Sequence, residues 1–315
     1  MTSKLFNNKR ILITGATGFV GANLAHRLVN IGAKPHIILR KESSKLRIKS
    51  IESKMHLHYC DLTENKKLQA LIKDVNPEII FHTAAYGGHI SQNDVAKILQ
   101  VNQTGTMNLI NACDNIDYDS FINSGSSSEY GIKNKSMKED DVLEPITDYG
   151  ITKSAATMYC QEVACKTGKS IATLRLFSPY GKYDDSSRLV AYAISTCLKG
   201  NTIKLSSPDS VRDFIFIEDV IDAYLLAAKN PVKIKGEIFN VGSGKQYSIC
   251  EVVNKIIKFT NSSIKPSWGS ISNPRFEPSV WQADISKIRK YLSWKPMYSI
   301  EEGLKKTIES FQKGN

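Results

Sequence analysis

The sequence predicts an α/β protein built on a doubly wound parallel sheet, and two observations lead to this class. Short apolar runs rich in β-branched residues alternate with longer amphipathic stretches, and a glycine-rich turn joins the first run to the first stretch. Such alternation is typical of buried parallel strands covered by helices on both faces. The predicted strands are Arg10–Thr14, Pro35–Leu39, Met55–Tyr59, Glu78–His82, Ser120–Asn123 and Ser170–Arg175. The predicted helices are Val20–Ile31, Glu64–Asp74, Asp94–Asp114 and Tyr149–Lys166.

The glycine-rich turn spans residues 14–21, which read Thr-Gly-Ala-Thr-Gly-Phe-Val-Gly. Glycines between a strand and a helix permit a tight turn and let the backbone approach a pyrophosphate, which the helix N-terminus then binds. Because the flanking strand and helix are both predicted, we interpret the turn as a dinucleotide-binding loop. The predicted cofactor contacts in it are Gly15, Thr17, Gly18, Phe19, Val20 and Gly21.

The end of the second strand indicates which dinucleotide binds. An acidic residue about 20 positions after the loop holds the ribose 2′-hydroxyl of NAD, whereas an arginine there accommodates the 2′-phosphate of NADP. Arg40 stands at this position with Lys41 beside it. The sequence therefore favours NADP(H), and NAD(H) remains the alternative.

The second half of the chain predicts one more strand–helix–strand unit, at Asp213–Ile217, Glu218–Ala228 and Glu237–Val241, and a last helix at Ile300–Gln312. We expect residues 1–176, rejoined by 211–243, to form a Rossmann-type dinucleotide-binding domain. Residues 177–210 and 244–315 are expected to form a smaller α/β substrate-binding lobe.

The charge of the chain does not predict a nucleic-acid partner. The net charge of the 315 residues is +11, but it is spread as single lysines with no dense basic block, which is typical of a solvated surface. The N-terminus lacks the apolar core of a signal peptide, and no apolar run reaches the roughly 18 residues of a membrane span. We expect a cytoplasmic protein with no membrane partner.

No metal or disulfide is predicted. The six cysteines include no Cys-x-x-Cys pair, and a thiol in apolar surroundings behaves as a small hydrophobic group. His56 and His58 share one face of a predicted strand, and without a third ligand nearby we interpret them as structural or surface residues.

Tyr149 and Lys153 form the predicted catalytic pair. Their spacing of four places both side chains on one helix face. A phenol has an intrinsic pKa near 10, and a neighbouring ammonium favours the phenolate and brings proton exchange toward neutral pH. A lysine at this position is also able to hold the ribose hydroxyls of a nicotinamide.

The glycine turn, the Tyr-x-x-x-Lys pair and residues 174–181 (Leu-Arg-Leu-Phe-Ser-Pro-Tyr-Gly) together resemble the extended short-chain dehydrogenases/reductases, in the NAD-dependent epimerase/dehydratase branch. The resemblance covers nearly the whole chain and implies a nucleoside-diphosphate sugar as substrate. Matching Tyr130-Gly131 to the Tyr-Gly of the family implies that Ser126 is the catalytic hydroxyl, with Ser127 as the alternative. Further implied cofactor contacts are Asp61, Leu62, Ala84, Ala85 and Asn102.

The resemblance also implies a set of substrate contacts and a homodimer. The predicted dimer interface comprises the helices at Asp94–Asp114 and Tyr149–Lys166. Planar guanidinium groups suit a pyrophosphate, a role expected of two of the arginines, Arg212 and Arg275. The implied substrate residues are Ser127, Phe177, Arg188, Leu189, Arg212 and Arg275.

The residues before Tyr130 favour one reaction of the branch. Dehydratases commonly have an acidic pair at the positions of Ser127 and Ser128, whereas here only Glu129 is acidic, as in several 4-keto-6-deoxysugar reductases. The resulting prediction is an NADP(H)-dependent reductase that reduces C4 of a nucleoside-diphosphate 4-keto-6-deoxysugar. The alternatives are an NAD-dependent 4-epimerase of the UDP-glucose type and a non-catalytic NADP-sensing protein, which the intact Ser126, Tyr149 and Lys153 disfavour.

Overall fold

The computed structural model describes residues 3–89, 91–271 and 278–314. Its strands are β1 (Ile11–Thr14), β2 (His36–Leu39), β3 (His56–Tyr59), β4 (Ile79–His82), β5 (Ser120–Ser126), β6 (Ile171–Leu176), β7 (Ser178–Tyr180), β8 (Val211–Arg212), β9 (Phe214–Phe216), β10 (Ile238–Val241) and β11 (Tyr247–Ser248). Its α-helices are α1 (Ser3–Asn7), α2 (Phe19–Asn30), α3 (Asn65–Val75), α4 (Val95–Leu99), α5 (Gly105–Ala112), α6 (Asp148–Thr167), α7 (Leu189–Leu198), α8 (Ile217–Ala228), α9 (Ile249–Phe259), α10 (Ser286–Leu292) and α11 (Ile300–Gln312).

The main sheet has seven strands in the order β10-β6-β5-β4-β1-β2-β3. The pairs β1–β2, β1–β4, β2–β3 and β4–β5 are parallel. The order reverses direction on either side of β1, which is the arrangement of a doubly wound sheet that binds ligands at the carboxyl ends of its strands. The predicted Rossmann-type fold is confirmed.

The strands of the main sheet form because their residues are apolar on both faces. Every residue of β1 and β4 is buried, and Leu12, Ile80 and Phe121 belong to one apolar cluster with Leu68 of α3 and Leu109 of α5. Burial of each such side chain contributes about 1.5–3 kcal/mol. The edge strand β3 is half exposed, as expected for a strand paired on one side only.

Two short sheets correct one prediction. Phe214–Phe216 does not rejoin the main sheet but pairs with Ser178–Tyr180, while Ile238–Val241 does join the main sheet beside β6. Packing explains the difference, because the Tyr180 ring lies 5.8 Å from the Phe216 ring. The second short sheet pairs Val211–Arg212 with Tyr247–Ser248.

Several helical segments also differ from the sequence expectation. The predicted helix over Asp94–Asp114 is interrupted by a π-helical turn at Gln100–Thr104. The helix Ile249–Phe259 was not predicted, although its capping box of Ser248 and Glu251 is an N-terminal signal. A 3₁₀ helix over Leu46–Lys54 was likewise not predicted, and it brings a basic segment to α2.

Within the described residues the chain divides into two compact units. One comprises residues 1–131, 142–175 and 221–239, and the other comprises 132–141, 176–220 and 240–315. Residues 132–141, 176, 211–220 and 240–243, which were expected in the first domain, belong to the second unit. The core of the second unit includes Val190 and Ile194 of α7 and Val252 and Ile256 of α9. No helix in the described ranges is long and apolar enough to cross a bilayer.

Candidate active site

The glycine turn after β1 is closed by main-chain contacts that leave no room for side chains. Gly15 has a φ of +74°, and a Cβ there would lie 2.5 Å from the main-chain nitrogen of Ala84. A Cβ on Gly21 would lie 2.3 Å from the carbonyl oxygen of Gly15. Helix α2 then begins at Phe19, and Gly18 before it offers no side-chain cap. The N-terminus of α2 is therefore open to an anion, and these residues fit the pyrophosphate of a dinucleotide.

The ends of β3 and β4 carry other residues that the family resemblance implies as cofactor contacts. Asp61 follows β3, and its Oδ1 accepts hydrogen bonds from the nitrogen and hydroxyl of Thr63 at 2.9 and 2.7 Å. Leu62 is buried. Ala84 is half-buried after β4, with its nitrogen 3.4 Å from Thr14 Oγ1, and Ala85 is exposed.

Two arginines lie in the segment that follows β2. Arg40 Nε forms an exposed ion pair with Glu42 Oε1 at 3.3 Å, and Lys41 is exposed. Arg47 lies in the first turn of the 3₁₀ helix and donates from Nη1 to the carbonyl oxygen of Thr17 in the glycine turn at 3.3 Å. Arg47 was not predicted, because a basic residue in a short polar segment gives no signal of a contact with a residue 30 positions earlier.

Asn102 lies in the π-helical turn, completely buried. Its side-chain amide joins two other segments: Oδ1 accepts from Tyr86 N at 2.8 Å, and Nδ2 donates to Tyr86 O at 2.7 Å and to Thr152 Oγ1 at 3.0 Å. The side chain thereby ties the segment after β4 to helix α6, one residue from Lys153.

The serine turn (Ser126–Ser128) ends β5. Ser126 is the N-cap of a 3₁₀ turn over Ser127–Glu129, and its Oγ accepts from the nitrogen of Ser128 at 3.1 Å. Because the hydroxyl oxygen already accepts this bond, its own hydrogen is left to donate. The Cβ position of Gly150 lies 2.5 Å from the carbonyl oxygen of Ser128, so the serine turn meets the first turn of α6. Ser127 is also buried.

Helix α6 carries Tyr149 and Lys153 on one face. The Thr147 side chain caps the helix by accepting from Gly150 N at 3.0 Å, which fixes Tyr149 in the first turn. The Tyr149 ring lies 3.7 Å from the Cβ position of Gly88, so the absence of a side chain at residue 88 leaves space beside the phenol. Lys153 is 1 % exposed, and burial lowers its pKa from the usual 10.5, an effect that Glu129 opposes.

A buried histidine lies at the end of β4, and no role was predicted for its side chain. His82 Nδ1 is 2.6 Å from Thr14 Oγ1, and its Nε2 is 2.8 Å from Thr106 Oγ1. Burial, with a smaller effect of Lys153, lowers the pKa of His82 to about 3, so the ring is neutral. It links β1, β4 and α5 beneath the glycine turn.

The second unit contains the predicted substrate residues that follow β6. Phe177 is buried, with its nitrogen donating to Val241 O at 3.0 Å. Arg188, the N-cap residue of α7, pairs with Asp184 at 3.6 Å, and half-buried Leu189 begins the helix. The Arg212 guanidinium lies 5.4 Å from the ring of Trp281. Arg275 lies outside the described residues.

The fold and this site define a class of dinucleotide-binding enzyme with a tyrosine–lysine pair. The chain matches the NAD dependent epimerase/dehydratase family over residues 11–242, and it belongs to that family. The expected family is thereby confirmed.

Proteins of several named activities are similar to the chain. It is 28% identical to the UDP-glucose 4-epimerase of Lactobacillus helveticus, with 92% of each chain covered. It is 26% identical to the UDP-N-acetyl-alpha-D-glucosaminuronate decarboxylase of Bacillus cytotoxicus, covering 96% of this chain and 98% of the other. Among solved structures, UDP-glucuronic acid 4-epimerase of Bacillus cereus, in complex with UDP-glucuronic acid and NAD, has a TM-score of 0.87 at 26% identity, with 96% and 99% covered.

Proposed function

We propose that this chain is an NADP(H)-dependent reductase that acts on C4 of a nucleoside-diphosphate 4-keto-6-deoxysugar. The observation that carries the proposal is the meeting of the serine turn with the first turn of α6, where Tyr149 and the buried Lys153 share a face. The nucleotide-sugar part is supported by family membership and by the UDP-sugars bound in similar structures.

Each residue of the site has a defined role in this reaction. When bound, the nicotinamide cofactor supplies the hydride that reduces C4. Tyr149 donates the proton that converts the carbonyl oxygen at C4 into a hydroxyl, and the Ser126 hydroxyl orients that oxygen by donating a hydrogen bond. The Lys153 ammonium stabilises the phenolate that Tyr149 leaves behind. Ser127 remains the alternative to Ser126.

The choice between reduction and dehydration depends on the serine turn. Neither Ser127 nor Ser128 is acidic, and the carboxylate that follows them, Glu129, is completely buried and paired with Arg175. A buried, paired carboxylate is poorly placed to move protons on a sugar. This supports reduction over dehydration.

The preference for NADP(H) is supported by Arg40 and Arg47. Arg40 follows β2, at the position where the ribose 2′-group is bound in this fold. Arg47 donates to the carbonyl oxygen of Thr17 in the glycine turn, and guanidinium groups suit a 2′-phosphate. The Arg40–Glu42 ion pair is exposed, so its loss on binding costs little.

An NAD-dependent 4-epimerase is the second candidate, because several similar proteins have that name. An epimerase uses the same tyrosine and lysine but returns the hydride to the sugar, and so consumes no cofactor. A purely NADP-sensing protein would not need Ser126, Tyr149 and Lys153 together.

We propose substrate contacts for Ser127, Phe177, Arg188, Leu189, Arg212 and Arg275. We also propose a homodimer through residues 94–114, which include α4 and α5, and through helix α6. Exposed apolar side chains support it: Val95 and Leu99 on α4 are 46% and 43% exposed, and Ile151 and Met158 on α6 are 50% and 56% exposed.

The test is a substrate panel. The purified protein is mixed with NADPH or NADH and with dTDP-, GDP-, CDP- or UDP-linked 4-keto-6-deoxysugars, and separately with UDP-glucose and UDP-galactose. We expect oxidation of one NADPH for each keto sugar reduced, measured by the loss of NADPH absorbance and by chromatography of the sugar nucleotides. Interconversion of the UDP-hexoses without net NADPH oxidation, and no reduction of any keto sugar, would overturn the reductase in favour of the epimerase.

A further inference from the structure

Directly behind the serine turn lies a buried ion pair. Arg175 of β6 and Glu129 have side chains that are 2 % and 0 % exposed, and Arg175 Nε donates to Glu129 Oε2 at 2.7 Å. The guanidinium also lies 4.6 Å from the centre of the Tyr130 ring. Burying two charges is costly unless every hydrogen-bonding position is used, so such a pair is a weak source of stability in itself.

The second carboxylate oxygen of Glu129 contacts the serine turn. Glu129 Oε1 accepts a hydrogen bond from the main-chain nitrogen of Ser126 at 2.8 Å. Together with the bond from Ser128 N to Ser126 Oγ, it forms a reciprocal capping box within the turn. The space is closed further at Gly125, whose Cβ position lies 2.7 Å from Glu129 Oε1 and 3.0 Å from Arg175 Cγ. The main chain at Ser126 is therefore held by a carboxylate that Arg175 keeps in place.

Helix α6, which carries the buried Lys153, packs against the 3₁₀ turn Ser127–Glu129, so the same carboxylate acts on this ammonium. Of the charged groups that influence the pKa of this lysine, Glu129 has the largest effect, and it favours the protonated form that burial disfavours. The neighbouring titratable groups are neutral: burial raises the pKa of Cys160 on α6 to about 12, lowers that of His82 on β4 to about 3, and raises that of Tyr224 on α8.

We propose that Glu129 is a positioning residue, whose buried carboxylate, held by Arg175, fixes the Ser126 main chain and supplies the counter-charge for the Lys153 ammonium. The proposal rests on the proposed roles of Ser126, Tyr149 and Lys153. It explains why an acidic residue follows the serine turn of an enzyme that needs no acid there for dehydration.

A double-mutant cycle on unfolding tests the counter-charge without any substrate. Urea midpoints are measured for the wild type, Glu129→Gln, Lys153→Met and the double variant. Since the Glu129→Gln substitution leaves the buried ammonium without its counter-charge, we expect Lys153→Met to be clearly less destabilising in the Glu129→Gln background than in the wild type. Equal midpoint changes in both backgrounds would overturn the proposal, whatever the sugar panel shows.

The control is Asp219→Asn. Asp219 is also a buried carboxylate that accepts main-chain hydrogen bonds, from Met297 N at 2.8 Å and Tyr298 N at 3.3 Å, but it belongs to the other unit. The urea-midpoint change caused by Asp219→Asn and the change caused by Lys153→Met should add in the double variant. If Glu129→Gln does not fold because Arg175 has lost its partner, the cycle is run on Glu129→Gln combined with Arg175→Met, since removing a buried pair together is tolerated better than removing one partner.

The pH profile of turnover gives a second readout, with whichever sugar nucleotide the protein converts. Reduction needs Tyr149 and Lys153 both protonated. Removing a nearby negative charge eases the loss of the first proton from this pair, whichever group loses it. In Glu129→Gln the alkaline decline of kcat should therefore move to lower pH by about one unit, with KM changed less than about threefold. A purely structural Glu129 would leave the position of that decline unchanged, as Asp219→Asn should.

Discussion

The two ends of the proposed cofactor site are built in different ways. At the pyrophosphate end, Gly15 and Gly21 contact main-chain atoms so closely that no side chain fits, and the geometry is set by packing. At the ribose end, the Arg40 side chain is 37% exposed with an ion pair to Glu42, and Arg47 extends to the carbonyl oxygen of Thr17. In our account the first end determines that a dinucleotide binds, and the second end determines which one.

The difference has an energetic basis. A clash with main-chain atoms cannot be relieved by a side-chain movement, so the glycine turn tolerates no variation. Exposed charges, by contrast, exchange one partner for another at little cost, so the ribose end is able to change its ligand without change of fold. The variants below test this contrast.

The largest effect is expected from Gly15→Ala. The added methyl group would lie 2.5 Å from Ala84 N at a φ of +74°, so the turn must open and NADPH and NADH should both bind at least about 100-fold more weakly. The measurement is a fluorescence titration of each cofactor. Gly168→Ala is the matched control, because Gly168 has a φ of +70° but no atom within 4 Å of its Cβ position. It should lose stability of about 1 kcal/mol and keep cofactor affinity.

An intermediate effect is expected from Arg40→Ala. Loss of a charged donor to a phosphate should weaken NADPH about 30-fold and NADH less than about threefold. Lys49→Ala removes the same charge from an exposed position of the 3₁₀ helix and should change neither affinity. Equal weakening of both cofactors by Arg40→Ala would contradict a 2′-phosphate site.

The smallest effect is expected from Arg47→Ala. Its guanidinium already donates to Thr17 O, so less of its hydrogen-bonding capacity is left for a phosphate. Affinity for NADPH should fall about fivefold, with little change for NADH. Isothermal titration calorimetry with 2′,5′-ADP and 5′-AMP compares the affinities for the adenosine half of the cofactor with and without the 2′-phosphate. If Arg47→Ala leaves the preference for 2′,5′-ADP intact, Arg47 only supports the turn.

The sequence was informative where a local pattern determines the structure. The six strands of the first half, the glycine turn and the Tyr149 helix follow from apolar runs and glycine spacing within short segments, and the structure has all of them within one or two residues, β5 alone running three residues further. The pairing of Phe214–Phe216 with Ser178–Tyr180 was mispredicted, because a three-residue strand carries no information on its partner. The choice between two sheets is made by tertiary packing.

Contacts between distant positions could not be predicted from the sequence. Glu129 was recognised as an acidic residue beside Tyr130, but its partner Arg175 is 46 positions away, and no local pattern links the two. Asn102 was expected at the cofactor, and the structure engages its amide with Tyr86 and Thr152. In each case the residue type was informative, whereas the role depends on which side chains the fold brings together.

The central claim is that Tyr149 transfers the proton in a reaction at a nicotinamide cofactor. The most direct test is Tyr149→Phe, assayed for turnover of the sugar nucleotide that the wild type converts and for NADPH binding by fluorescence. We expect kcat to fall about 1,000-fold while the Kd for NADPH stays within about threefold, because only the proton donor is removed. Turnover by Tyr149→Phe at the wild-type rate would contradict it.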